Sequence, residues 1–416
     1  MRQEKRQAVI IGGGPAGLAA AVQLHRLGVT DLVVLEREKQ AGGILRQCIH
    51  DGFGLARFGE NLSGPEYAHR FLQEALALGI EIRTNTSVIG LTPDRQVTSA
   101  GPDGLCCWQA GAVVLAMGCR ERTRGALAIP GERPAGVFTA GVAQSYINLY
   151  NRMIGRRVVI LGSGDIGLIM ARRLTLEGAE VLGVYELQPW PNGLARNLRQ
   201  CLDDFGIPLH LSHTVTEIHG RARLTGVTVS RVDERGRPVP GSEERIDCDT
   251  LILSVGLLPE TELARQGGVR LDARTRGPAV DQYLQTSLPG VFAAGNVLHV
   301  HDLVDEVSRE AEQLAAGAVR FLAEGGLPPC PVPVKAGEGV GQLLPCALRG
   351  GEEACLNLRV TRPMENALLR AEQNGRLLRQ LPLRRALPAA MLRLPLPAGA
   401  VEPEGIVEVS ATCSGN

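Results

Sequence analysis

The chain has 416 residues, 51 of them glycine, and its 44 Lys+Arg balance its 44 Asp+Glu to a formal charge of zero. That balance argues against a nucleic-acid partner, which needs a concentrated basic face. A 44% hydrophobic content without net charge argues against disorder.

In chain order, 1–7 is basic and 7–25 uncharged, which imitates a secretory signal, but Gly12, Gly13, Gly14 and Pro15 interrupt the apolar run. Residues 8–11 instead have strand length, 17–27 a helical pattern, and 32–36 form a second strand, the start of a parallel sheet. A helix over 65–78 carries Tyr67, Phe71, Leu72 and Ala75 on one face, and a strand over 80–83 follows. Segments 88–91, 97–99 and 105–109 predict an antiparallel meander, then 112–116 a buried strand. Residues 158–161, 166–176 and 181–186 repeat the opening unit. A helix over 194–205, a hairpin over 214–231, strands at 250–255 and 291–294, and a long helix over 303–322 complete this part. From Pro331 the runs 343–347, 354–360, 367–371 and 406–410 predict a small β-rich module, with a Pro/Arg-rich stretch over 381–397. No segment of about 18 residues is apolar and unbroken, so no transmembrane helix is expected, and the expected location is the cytoplasm.

Gly12-x-Gly14-x-x-Gly17, enclosing Pro15 and Ala16, follows a strand and opens a helix. A pyrophosphate needs such a loop: the first glycine turns the chain, the second admits phosphate oxygens, and the third lets helix and sheet pack closely. The helix N-terminus adds free N–H groups. An acid should then reach the ribose, and Glu36 stands 19 residues beyond Gly17. Gly162-x-Gly164-x-x-Gly167, enclosing Asp165 and Ile166, repeats the pattern, with Glu186 again 19 residues on. Two bound dinucleotides are implied. Arg37 and a close-approach pair, Gly42-Gly43, follow Glu36. After Glu186 come Leu187, Gln188, Pro189 and Trp190, with no base to hold a 2′-phosphate, so NAD(H) is expected over NADP(H).

With Glu36, Gly42-Gly43, the run 113–118 and the run 291–296, residues 8–325 resemble the two-dinucleotide flavoproteins of the pyridine nucleotide–disulfide oxidoreductase superfamily. That resemblance implies an α/β fold of two Rossmann-like dinucleotide-binding domains, the second inserted in the first, plus the C-terminal β-rich module. The implied boundaries are 1–152 and 283–330 for an FAD domain, 153–282 for an NAD(H) domain, and 331–416 for the module. It further implies FAD on Gly12, Gly14, Pro15, Ala16, Gly17, Glu36, Arg37, Gly43, Ile44, Gln47, Val88, Ala116, Gly118, Gly295 and Asn296. NAD(H) falls on Gly162, Gly164, Asp165, Ile166, Gly167, Glu186 and Gly256. Asn296 stands where many relatives have Asp, so that contact becomes a neutral hydrogen bond. Arg120-Glu121-Arg122, 129–137 and 139–144 look like the flavin subunits of sarcosine oxidase alpha, opine oxidase and hydrogen cyanide synthase. The stretches 42–55, 162–171, 191–213 and 296–307, with the tail, look closer still to flavoproteins found beside glycerol-3-phosphate dehydrogenase-like partners, some described as NADH oxidase subunits.

None of the ten cysteines shows C-x-x-C, zinc or cluster spacing, and the superfamily's redox pair is missing. Cys48 stands alone in the corresponding region, either as a redox thiol whose pKa His50 lowers or as packing beside the flavin. Adjacent Cys106 and Cys107 make no unstrained pair. His299 and His301 would face opposite ways if extended, so at most one is expected to approach the flavin or a partner; helix capping or a structural bond is expected for each and no metal site, and Asp302 is expected to cap the long helix. The expected activity is hydride transfer between NAD(H) and FAD, with electrons passed to a partner subunit or O₂. A subunit of an amine, opine or glycerol-3-phosphate dehydrogenase, and a non-catalytic relay or scaffold, are the alternatives; a homo- or hetero-oligomer fits each.

Overall fold

The computed structural model describes residues 2–413. It forms two compact units, one from the chain up to Cys119 and again from Pro259 onward, the other from Arg120–Leu258. The inserted unit therefore begins and ends earlier than the expected 153–282. Val137–Thr139 joins its sheet beside Thr250–Leu253, and Ile147 of the helix Ala140–Asn148 enters its core. Ala264, Val269 and Val280 pack instead in the core of the first unit.

Ahead of the C-terminal module, the first unit is built on one sheet, with Glu81–Arg83, Leu32–Leu35, Arg2–Ile11 and Gly104–Leu115 side by side, then Gln96–Gly101 and Ser87–Leu91. Val291–Ala293 also pairs in parallel with the end of Gly104–Leu115. The parallel strands are apolar throughout where helices cover the sheet, as burial on both faces requires. Two departures from the expected elements share a cause. The segments 105–109 and 112–116 merge into one strand, Gly104–Leu115, and that length lets Arg2–Arg6 pair with Cys106–Ala110. The basic N-terminal residues are thus strand. Arg6 and Arg83 share Glu4 and Glu81 at 2.5–3.1 Å, and the Arg83 guanidinium lies 4.6 Å from the Trp108 ring.

The helix Pro15–Arg26 starts with proline at its first position, where the missing N–H costs nothing. Val304–Glu324 packs against it, and the small residues Ala19 and Ala20 of the one helix and Ala311, Ala315 and Ala318 of the other are all buried. The helix Gly64–Ala77 opens with a capping box, Ser63 and Glu66 bonding reciprocally.

The second unit has five parallel strands in the order Leu209–Leu211, Glu180–Glu186, Arg157–Leu161, Thr250–Leu253, Val137–Thr139. An antiparallel trio, His213–His219, Gly226–Arg231 and Glu244–Ile246, accompanies it. The expected helix over 194–205 is shorter, Ala195–Cys201 with a 3-10 turn Asp203–Phe205. The C-terminal module has two sheets of five and three strands around Leu356, Leu358, Leu369, Leu394, Leu396, Val407 and Val409. Its Pro/Arg-rich stretch is ordered as Arg376–Ala386 and Leu392–Leu396. Arg376–Ala386 sits at the sheet edge, where Pro382 and outward arginines discourage further pairing.

Candidate functional site

The first glycine loop is a cradle of bare backbone. Gly12 has φ +108°, and a Cβ there would lie 2.4 Å from the Ala116 oxygen. A Cβ on Gly17 would lie 1.8 Å from the Gly12 oxygen, so helix and strand approach only because both are glycine. Gly43 closes over the loop, its absent Cβ 2.9 Å from the Gly14 Cα, while the Gly42 N–H donates to the Gly13 oxygen at 2.7 Å. Gly295 abuts the same helix start, where a Cβ would meet the Ala16 Cβ at 2.8 Å. Glu36 is buried beside the loop, accepting from the Gly13 N–H at 2.7 Å through Oε2 and from the Glu38 N–H at 2.8 Å through Oε1. Each oxygen keeps a lone pair for a hydroxyl.

The second loop reproduces this arrangement. Gly162 has φ +95° and approaches the Ser254 oxygen as Gly12 approaches Ala116, and Gly167 abuts the Ser254 side chain. Buried Glu186 accepts from the Ser163 N–H at 2.9 Å, the Ser163 hydroxyl at 2.6 Å and the Gln188 N–H at 2.9 Å. Asp165 Oδ1 accepts from the Leu194 N–H and the Asn197 amide at 2.8 and 2.7 Å, and the Asn192 N–H donates to Ser163 Oγ. The segment after Glu186 is thereby folded onto its loop. Ile166 follows in the helix Asp165–Leu176, and Gly256, at φ +95°, accepts from the Arg122 N–H.

Of the remaining expected residues, Gln47 is buried, Ile44 exposed, and Arg37 exposed beside Glu38. Val88 is half-buried opposite Ser99. Gly118, at φ +72°, accepts from the Glu260 N–H. Asn296 Oδ1 accepts from the His301 N–H at 3.0 Å, and its Nδ2 contacts Cys119 Sγ at 3.6 Å.

The expected pKa-lowering of Cys48 by His50 is not what the geometry gives. Burial pushes the Cys48 thiol up to about 12, it donates to the Ile44 oxygen at 3.4 Å, and the His50 ring packs 5.0 Å from Phe53. All ten cysteines lie within the described residues as thiols, not as disulfides.

Two further expectations are corrected. His299 and His301 do not face opposite ways, because the chain enters them from the 3-10 turn Gly295–Val297 and not from a strand. Their ring centroids are 4.1 Å apart, and their Nε2 atoms reach Glu310 Oε2 at 2.7 and 3.3 Å. Glu310 Oε1 accepts from the Gly295 N–H at 2.7 Å. Burial opposes the Glu310 charge, yet the two imidazoles hold its carboxyl well below the usual range. Burial, then His301, pushes His299 down. Asp302 is not the helix cap: Leu303 occupies that position, and Asp302 pairs with Arg359 of the C-terminal module and accepts from the Met391 N–H at 2.6 Å. Arg359 also donates to the Val300, Pro388 and Ala389 oxygens.

Sequence reasoning missed Asp305, which accepts from the Gly54 and Ala56 N–H groups at 3.1 and 2.8 Å. It also missed Ser308, bonded to the Tyr67 hydroxyl at 2.8 Å. Both sit on the long helix and hold elements that follow Gly43. The only signal available was an acid in a first helical turn, which has commoner explanations.

The family model described as Pyridine nucleotide-disulphide oxidoreductase matches residues 6–320. Hydrogen cyanide synthase subunit HcnB of Pseudomonas aeruginosa is 30% identical over 70% of this chain and 66% of its own length. Glutamate synthase (NADPH) small chain of Escherichia coli is 29% identical over 77% of this chain and 70% of its own. An opine oxidase subunit of Agrobacterium tumefaciens is 28% identical over 69% and 60%. The chain thus spans about two thirds of the length of these relatives. Among solved structures, T. acidophilum thioredoxin reductase superposes with a TM-score of 0.62 at 25% identity, over 76% of this chain and 98% of that one. With two matching glycine loops on parallel sheets and a family match over most of its length, the chain belongs to the pyridine nucleotide-disulphide oxidoreductase family and is an oxidoreductase.

Proposed function

We propose that the chain binds FAD on the first loop and NAD(H) on the second, and passes electrons onward to a partner subunit or to O₂. The observation that carries this is the duplication of one contact, Gly13 N–H to Glu36 and Ser163 N–H to Glu186, each beside a loop in which a side chain would fill the cradle. Bound there, FAD and NADH supply the hydride chemistry. The protein's own residues bind and orient. Gly12, Gly14, Gly17 and Gly43 offer backbone to the pyrophosphate, Glu36 receives ribose hydroxyls, and Asn296 offers its amide to the ribityl chain. Glu186 receives the other ribose and disfavours a 2′-phosphate.

Cys48, held as a neutral thiol, is a packing group in this reading, and His50 is tied up with Phe53. Three relatives carry the name of a subunit or small chain, which supports the second reading, a flavin subunit whose partner oxidises an amine, an opine or glycerol 3-phosphate. Anaerobic addition of NADH, then NADPH, while following the visible flavin band separates the two. Bleaching by NADH supports hydride entry through the second loop. No bleaching by either nucleotide removes that route and leaves the subunit or relay reading.

A further inference from the structure

The meeting of His299, His301 and Glu310 leaves one contact that a neutral His301 does not satisfy. The His301 backbone N–H donates to Asn296 Oδ1 at 3.0 Å, which fixes that atom as the amide oxygen. The His301 ring nitrogen Nδ1 faces the same oxygen at 3.3 Å. An amide oxygen only accepts, so the ring hydrogen sits on Nδ1. In the neutral imidazole Nε2 is then a bare lone pair, and it points at a carboxylate oxygen, Glu310 Oε2, 3.3 Å away. Two acceptors face each other. A proton on His301 Nε2 or a metal cation between them removes the conflict, and a second imidazole nitrogen, His299 Nε2, lies 2.7 Å from the same oxygen.

The three ligand atoms all lie within 4.8 Å of one another, and all three side chains are almost fully buried. Two imidazole nitrogens and one carboxylate oxygen are a donor set that zinc and related divalent ions favour. The outer contacts that such ligands need are present: Asn296 orients His301, and the Gly295 N–H orients Glu310. A cavity of about 20 Å³ adjoins the cluster, bordered by Cys355, Asn357 and Met391 of the C-terminal module. That is room for a water molecule or an exchangeable ligand at an open position. Arg309 and Arg393 border it too, and both face Glu306, at 3.0 and 3.7 Å, which offsets one of their two charges.

We propose that His299, His301 and Glu310 form a binding site for a divalent transition metal of the zinc type, with its open position turned toward the C-terminal module. The test uses the full chain with its flavin, stripped with EDTA, desalted and titrated with Zn²⁺ by calorimetry. Binding of one Zn²⁺ per chain is expected, together with a rise in melting temperature. Loss of a ligand in His299→Ala or His301→Ala should weaken it by more than the ~10–100-fold typical of outer-contact changes. Melting without zinc is measured first, and His301→Gln replaces any variant that does not fold. Zinc uptake that survives the histidine changes and Glu310→Gln but vanishes on thiol alkylation overturns the assignment, because it belongs to cysteines. No uptake by the unaltered chain also overturns it, leaving a doubly protonated His301 as the bridge.

Discussion

Replacing Glu186 with alanine tests the nucleotide assignment most directly. Its carboxylate is buried, and three donors at 2.6–2.9 Å fix its orientation, so a ribose in the second loop meets an anion already in place. A hydrogen bond to a charged group contributes about 1.5–3 kcal/mol, and NADH affinity should fall roughly 10- to 100-fold in Glu186→Ala. The 2′-phosphate of NADPH meets repulsion instead. Unit charges 4 Å apart repel by about 4 kcal/mol at an effective dielectric near 20. If solvent halves this, about 2 kcal/mol remains, roughly 30-fold discrimination that the substitution abolishes. Glu186→Gln keeps an acceptor for the Gln188 N–H and separates charge from scaffold: it should relax the discrimination while losing less NADH affinity. Stopped-flow flavin reduction by each nucleotide, with FAD content recorded alongside, is the assay. Equal preference of the unaltered chain for NADH and NADPH refutes the electrostatic reasoning, and loss of FAD from Glu186→Ala shows that the two loops are assigned the wrong way round.

Gly295→Ala should cost about 1–2 kcal/mol for a side chain at φ +76°, with more from the 2.8 Å approach to Ala16; released flavin after desalting, read by fluorescence, should exceed that of the unaltered chain. Arg359→Ala leaves Asp302 without its cation and should destabilise the C-terminal module by about 3 kcal/mol, visible as faster proteolysis after residue 330 and a lower melting temperature. A thiol held at about 12 carries, at pH 8, about a thousandth of the thiolate of an ordinary cysteine near 9, so Cys48 should resist iodoacetamide. Its folded value lies above the unfolded one, so its contribution to stability is present below pH 9 and fades between 9 and 12. Cys48→Ser should change turnover less than about twofold, and a pH–rate inflection that the variant abolishes would restore a redox role.

Both glycine loops were legible because their geometry is written in residue type. Only glycine fits 1.8 Å from the Gly12 oxygen, and Glu36 at the strand end takes the Gly13 N–H, so a fixed spacing carries the geometry. The long strand Gly104–Leu115 was not legible, because Gly111 looks like a break. It is an approach point, where a Cβ would lie 2.7 Å from the Gln7 oxygen. The domain boundary was missed for a related reason: Val137–Thr139 is three residues of half-buried strand, too short for periodicity to register.

His299 and His301 show where pattern reasoning stops. Alternation of side chains is a property of pleated backbone, and the stretch after Gly295 is not pleated, so the rule that set the rings apart had no force there. What brings them together is Glu310, eleven residues beyond His299 on a helix whose polar positions otherwise resemble a solvated face. The same helix holds Asp305 against Gly54 and Ala56, and Arg359 reaches the adjoining loop from the C-terminal module. These contacts link residues 11 to 251 positions apart, and no local spacing encodes them. A single element therefore sets the Gly295 backbone beside the first loop, the segment after Gly43 and the two histidines. Because Glu310 accepts from the Gly295 N–H with one oxygen and faces both imidazoles with the other, a change at the histidine cluster is one bond away from the first loop's wall. Glu310→Ala, which removes the acceptor of the Gly295 N–H, should accordingly loosen flavin and zinc together, whereas His299→Ala, which leaves the Gly295 bond intact, should lose zinc and keep flavin.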